Sequence, residues 1–336
     1  MSLLQLLNAP LLLEAYYKPL RIRTNCAPSG AYGYNIAYEQ GKIDHWFVEE
    51  QREGIHAVQA GVLRKLRLGT DGGAVDLGWR IFCWGFGRQG PAGDFPGCRD
   101  KYHSTSFFLE AVARALLLQQ ETGDPAYTKL NETYTPKLVA GVRWMTRPGE
   151  VQAYRDTGAL ELFTHRYFYL ASLFAFTAKL TQDENLYQFA RDLVLEGMAK
   201  QTPIGVLPER GGYDFGYQAV AMECAARYYV VCPDPDIRKK LLEMLLLAMT
   251  FQLTKLDGAG NVDLSDSTRI GKEKTRDGNW KQATEKSIFI SLVYLGSITG
   301  NDEFTRLAEE IGWRQGYFTR KDILSRRYGE HEEKGT

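Results

Sequence analysis

Followed along its apolar positions, the chain alternates two kinds of helix. Segments 107–118, 167–178, 219–231 and 288–295 are apolar nearly all round. A helix without a polar face has to be buried on every side. Each is followed by a short turn carrying Asp, and then by a segment with a single apolar stripe. In 184–200 that stripe is Leu186, Phe189, Ala190, Leu193, Val194, Gly197 and Met198, the spacing of a helix covered on one side only. It returns as Tyr127, Leu130, Tyr134, Leu138 and Val142, as Ile237, Leu241, Met244, Leu245 and Ala248, and as Phe304, Leu307, Ala308 and Ile311.

The turns are Thr122-Gly123-Asp124-Pro125, Thr181-Gln182-Asp183-Glu184, Pro233-Asp234-Pro235-Asp236 and Thr299-Gly300-Asn301-Asp302. They recur at intervals of roughly 60 residues, which suits an array of helical hairpins. Segments 47–66 and 74–86 read as a fifth pair, and 5–20 as a further helix broken near Pro10 and Pro19. Repeating one fully buried and one half-buried helix predicts two concentric layers. The expected fold is therefore all-α: an α/α toroid, or barrel, of about five to six hairpins. Phe108, Leu173, Val220 and Leu292 should lie deep in its inner ring. No Gly/Ser-rich or Pro-rich linker divides the chain, so 1–336 is expected to be one domain. Residues 1–24 would form an N-terminal helical extension, and 329–336 a charged, frayed tail.

Composition narrows the function. Lys plus Arg total 41 and Asp plus Glu total 41, with no long run of either sign. That balance argues against a nucleic-acid partner, which needs clustered basic charge. The apolar N-terminus, residues 1–13, is too short to span a bilayer and lacks a basic flank, so no membrane span is expected. The chain as it stands reads as soluble and cytoplasmic, or as secreted or periplasmic if a leader has been removed. Five widely spaced cysteines without a CxxC pair support neither a disulfide framework nor a metal site. No Walker loop, GxSxG elbow or HExxH appears, and no cofactor is implied. Tyr is more frequent than Phe, 19 against 16, which leans towards sugar recognition.

Five long polar stretches, 25–46, 88–103, 147–164, 202–214 and 257–280, each lead into an all-apolar helix and should share one rim. The candidate chemistry sits there. Asp94 and Tyr102-His103 precede Ser104-Thr105-Ser106, which reads as an N-cap. Thr164-His165-Arg166-Tyr167 brings a base, a fixed cation and a phenol within one turn. Glu209-Arg210-Gly211-Gly212-Tyr213-Asp214 precedes Tyr217; Tyr213 and Tyr217 should share a helical face, and Asp214 can cap or act as an acid. Arg269 and Lys281, in a loop rich in Lys and Arg, could clamp an anion.

A ring of hairpins with His, Tyr and Arg on loops leading into inner helices resembles the α/α-toroid carbohydrate enzymes. These include polysaccharide lyases of the alginate and chondroitin lyase type and the six-hairpin glycosidases. The resemblance is architectural and covers about 45 to 315 of the chain. It implies a glycan substrate. A cation would neutralise a uronate carboxylate, a His or Tyr would remove the adjacent proton, and a Tyr would protonate the leaving oxygen. His103, His165, Arg166, Tyr217 and Asp214 are the catalytic candidates. Asp94, Tyr102, Tyr167, Glu209, Tyr213, Arg269 and Lys281 are the substrate-binding ones. The reading that follows is a lyase acting by β-elimination on an acidic glycan. The alternatives are an inverting hydrolase using Asp94 and Asp214, with Glu209 in reserve, and a helical toroid that binds glycan or protein without turnover.

Overall fold

The computed structural model describes residues 1–17, 26–257, 262–276, 278–283 and 285–318. In chain order the helices are α1 (Leu3–Leu7), α2 (Pro10–Leu12), α3 (Tyr34–Glu39), α4 (Gly54–Leu68) and α5 (Ala74–Phe86). Next come α6 (Lys101–Thr122), α7 (Thr128–Met145), α8 (Pro148–Asp156), α9 (Ala159–Leu162) and α10 (His165–Thr181). The series ends with α11 (Glu184–Ala199), α12 (Phe215–Val231), α13 (Pro235–Leu253), α14 (Lys286–Thr299) and α15 (Asp302–Arg314). Short 3-10 turns cover Val48–Glu53 and Pro125–Tyr127, and a π-turn covers Leu13–Tyr17. Among the described residues β-structure is limited to isolated bridges. None of the described helices is long and apolar enough to cross a membrane.

The repeated turns work as caps. Asp124, Asp183, Asp234 and Asn301 each accept a hydrogen bond from the first peptide N–H groups of the following helix, relieving donors that have no partner within it. Three of the preceding helices end on a residue in the left-handed region: Gly123, Gln182 and Gly300. The chain reverses there, and each apolar helix lies against its striped partner: α6 on α7, α10 on α11, α12 on α13, α14 on α15. Helices α4 and α5 form the further pair, and their backbones meet where a Cβ on Gly78 would fall 2.5 Å from the Gly54 carbonyl oxygen.

The apolar helices pack in sequence order, α6 on α10, α10 on α12, α12 on α14, while α4 packs on α6. Phe108, Leu173 and Leu292 are fully buried, as their pattern requires. Val220 is not; it is half-buried, because α12 leaves that side less covered than an all-round apolar sequence suggests. The described N-terminal residues, 1–17, pack into the core. Helix α1 touches α6, α12 and α14 and buries Leu3, Leu6 and Leu7; α2 touches α14, and the π-turn touches α4. The break expected near Pro10 is present, with Pro10 opening α2 at a position where its missing N–H costs nothing. Pro19 and the 329–336 tail lie outside the described residues.

Two of the expected loops also contain helix. α3 lies within 25–46, and α8 and α9 occupy most of 147–164. Pro148 at the first position of α8 and Glu150 in its first turn are the local reasons.

A candidate active site at the start of α10 and α12

The segment between α11 and α12 is clamped at its end by backbone contacts. Glu209 bridges to Phe163 and to Gly212, and Thr164 Oγ1 donates to the Pro208 carbonyl at 2.6 Å. Arg210, at φ 52°, and Gly211, at φ 80°, make the reversal between them. From the other side Thr268 donates its N–H to the Tyr213 carbonyl and its hydroxyl to that of Glu209. Three segments distant in sequence are therefore fixed to one another at the N-termini of α10 and α12.

This frame delivers Glu209 to His165. The Glu209 Oε1 atom accepts from the His165 backbone N–H at 3.1 Å and lies 2.7 Å from its Nδ1. A carboxylate can only accept, so Nδ1 is the donor to it, and in the neutral imidazole Nε2 is then the acceptor. His165 is 3% exposed and Glu209 is fully buried. The imidazole lies 4.8 Å, centroid to centroid, from the Tyr217 ring. The Lys281 ammonium donates to the Tyr217 hydroxyl at 3.3 Å, and the Arg269 guanidinium sits 3.7 Å over the face of the same ring.

Glu273 ties the cations together. It meets Arg269 Nε at 3.0 Å, Lys281 Nζ at 2.6 Å and Arg210 Nε at 2.7 Å. Burial pushes its carboxyl up, but hydrogen bonds from Lys281 and Arg269 outweigh that and hold it below the usual glutamate value. Arg269 Nη1 also reaches Glu209 Oε2 at 3.3 Å. Counting His165 as uncharged, three cations (Arg210, Arg269, Lys281) face two carboxylates (Glu209, Glu273), leaving one positive charge beside the His165–Tyr217 pair.

His103 and Arg166 adjoin this group. His103 lies within the first turn of α6, with its ring 4.5 Å from that of Phe107 and a buried Nδ1 that has no hydrogen-bond partner. Burial first, then the charges of Arg166 and Arg52, hold its pKa well below the ordinary 6.5. Arg166 donates to the Tyr154 hydroxyl at 3.1 Å and lies 4.5 Å over Phe163. A neutral buried His has a consequence for stability. Its folded pKa is depressed, so the unfolded chain binds the proton first, and stability is lost as the pH falls below about 6.5. In denaturant titrations from pH 7.5 down to 5, His103→Gln should lose less stability than the parent; parallel curves would contradict it.

Several residues singled out by sequence lie elsewhere. Asp214 is fully buried and its carboxylate is saturated: Oδ1 accepts from Tyr217 N, and Oδ2 from Ser267 Oγ, Arg269 N and Ile270 N. It is the cap of α12 and the anchor of the 264–270 loop. Because α12 begins at Phe215, Tyr213 precedes the helix and shares no face with Tyr217. Its hydroxyl donates to Gln252 on α13 instead. Tyr167, 1% exposed, faces α11, where a Cβ on Gly197 would lie 2.8 Å from its own. Tyr102 stacks on Tyr154 and donates to the Met145 carbonyl, and Asp94 pairs with Lys101 at 3.6 Å. Glu209 is buried behind His165 rather than facing a ligand. Ser104, Thr105 and Ser106 lie inside α6, which starts at Lys101, and so do not cap it. Glu273 and Arg210 were not singled out by sequence; the one trace of them is mixed charge in Gly-containing loops.

No family model matches the chain, and no curated protein or solved structure is found to resemble it. Among the described residues no group of three or more His, Cys, Asp or Glu side chains is arranged to hold a metal ion.

Proposed function

We propose that the hairpins close into an α/α toroid and that the protein cleaves an acidic glycan by β-elimination at the His165–Tyr217 pair. The observation that carries this reading is the pairing itself: a histidine oriented by a buried carboxylate, beside a phenol held by a lysine. In the reaction His165 Nε2 takes the proton on the carbon next to the uronate carboxylate. The electrons of that C–H bond form the new C=C bond, the neighbouring C–O bond breaks, and the Tyr217 hydroxyl gives its proton to the leaving oxygen. Negative charge builds on the carboxylate as the proton leaves, so the one surplus positive charge of Arg210, Arg269 and Lys281 over Glu209 and Glu273 favours the transition state over the ground state. Arg166, next along α10, is turned to Tyr154 and Phe163 instead. Glu209 acts through His165, as a positioning residue.

The inverting-hydrolase alternative needs two free carboxyl groups flanking a water. Asp214 has its acceptors filled by backbone and Ser267, and Glu209 is committed to His165 and Arg269, so neither is available. Product masses separate the possibilities. On uronate-containing oligosaccharides, elimination gives fragments whose masses sum to that of the substrate. Gain of one water per cut would instead mean hydrolysis, and the absence of any cut across a broad panel of acidic glycans would favour a non-catalytic binding role.

A further inference from the structure

Most cations at this end of the helices have a close carboxylate partner. Arg269, Lys281 and Arg210 each meet Glu273, Arg269 also meets Glu209, and Arg276 is paired with Glu49 and Glu50. Two arginines do not. Arg166 makes no ion pair among the described residues, and its buried Nε has no hydrogen-bond partner. The ion pair Arg52 makes among the described residues is with Glu53, at 3.9 Å, a carboxylate that also lies 3.8 Å from His56; burial lowers the Arg52 pKa, but the charges of Tyr169, Glu53, Glu50 and Glu49 outweigh that and raise it. Its side chain stays 42% accessible, so it is open to a ligand.

Both arginines act on His103. Arg52 lies 4.9 Å over the Phe107 ring, the ring that His103 contacts at 4.5 Å, and the charges of Arg166 and Arg52 are the two largest electrostatic influences on that histidine. Asp100, the carboxyl that Arg166 influences, is pushed up by its own burial and forms no ion pair with it. The result is two guanidiniums without a close carboxylate, one of them accessible, beside an uncharged imidazole. Of their atoms, Arg166 Nε and His103 Nδ1 are buried without a partner, which is costly unless a ligand completes them.

We propose that Arg52, His103 and Arg166 form a second anion subsite, which holds the carboxylate of a sugar unit next to the one cleaved. The preferred substrate then carries acidic units in succession, rather than a uronate alternating with a neutral sugar. Arginine forks suit a carboxylate because two parallel N–H groups meet its two oxygens, and an uncharged His103 can donate a third hydrogen bond without repelling either cation. The inference rests on the elimination reading of the His165–Tyr217 site.

The test compares oligosaccharides of contiguous uronates with ones that alternate uronate and neutral sugar. On contiguous substrate, Arg52→Met should raise KM roughly tenfold with kcat within about twofold, because one charge-assisted contact common to ground and transition states is lost. On alternating substrate the same variant should change little, and Arg52→Lys should recover part of the loss. Calorimetry with Tyr217→Phe, which binds without turnover, should show the same preference for contiguous units. Equal losses on both substrates, or a parent protein that does not distinguish them, would overturn the subsite alone. Should Arg52→Met fail to fold, the parent's preference decides. A parent that neither binds nor cleaves any uronate oligosaccharide overturns the elimination reading and the subsite with it.

Discussion

Tyr217→Phe is expected to lower kcat by about a thousandfold while leaving the dissociation constant for an acidic oligosaccharide nearly unchanged. The ring remains to stack against Arg269 and His165, so the packing that shapes the site survives. What disappears is one hydroxyl and its contact with Lys281, and with them the proton for the leaving oxygen. Losses made only in the transition state appear in kcat and not in binding. Stopped-assay kinetics and calorimetry on the same sample separate the two. A variant that keeps kcat and weakens binding would make Tyr217 a contact residue and leave the proposed chemistry without its acid.

Asp214→Asn should behave in the opposite way, costing stability rather than chemistry. The carboxylate accepts four hydrogen bonds in a fully buried position, three of them from peptide N–H groups. An amide has one oxygen, and its NH2 group would face donors whichever way it is turned. At least one buried N–H is then left without an acceptor, so a loss of about 3 kcal/mol is expected. It should appear as a lower denaturant midpoint at unchanged slope. At a temperature where the variant is still folded, kcat should stay within about tenfold of the parent. A variant of native stability without activity would return Asp214 to the reacting groups and revive the hydrolase reading.

The contrast between these residues shows what the sequence could and could not convey. The helical pairs were legible because all-round burial and one-sided burial leave different periodic marks, and because the Asp or Asn of each turn is a cap whose chemistry is local. His165 and Tyr217 were legible as residue types at helix starts. A shared rim was expected for them, but the contacts that bring them together were not legible, since these depend on Glu209 and Thr268 joining segments far apart in the chain. The shared face expected for Tyr213 and Tyr217 failed for a local reason: Asp214 caps the helix at Phe215, one residue too late for Tyr213 to belong to it. The Ser104-Thr105-Ser106 cap failed because the Ser104 N–H already bonds to the Asp100 carbonyl at 2.8 Å, which carries α6 back to Lys101. Glu273 escaped notice because a carboxylate among lysines and arginines reads as an ordinary solvated loop until Arg210, Arg269 and Lys281 are seen meeting on it, the last two against Tyr217.

The most direct measurement of the central claim is ultraviolet absorbance during incubation with uronate polymers. Elimination creates a double bond conjugated to the carboxylate, which absorbs where neither substrate nor hydrolysis product does. The account predicts a steady rise with the parent protein and none with Tyr217→Phe at equal concentration. Reducing ends accumulating without that absorbance, or a rise that persists at the parent rate in Tyr217→Phe, would contradict it.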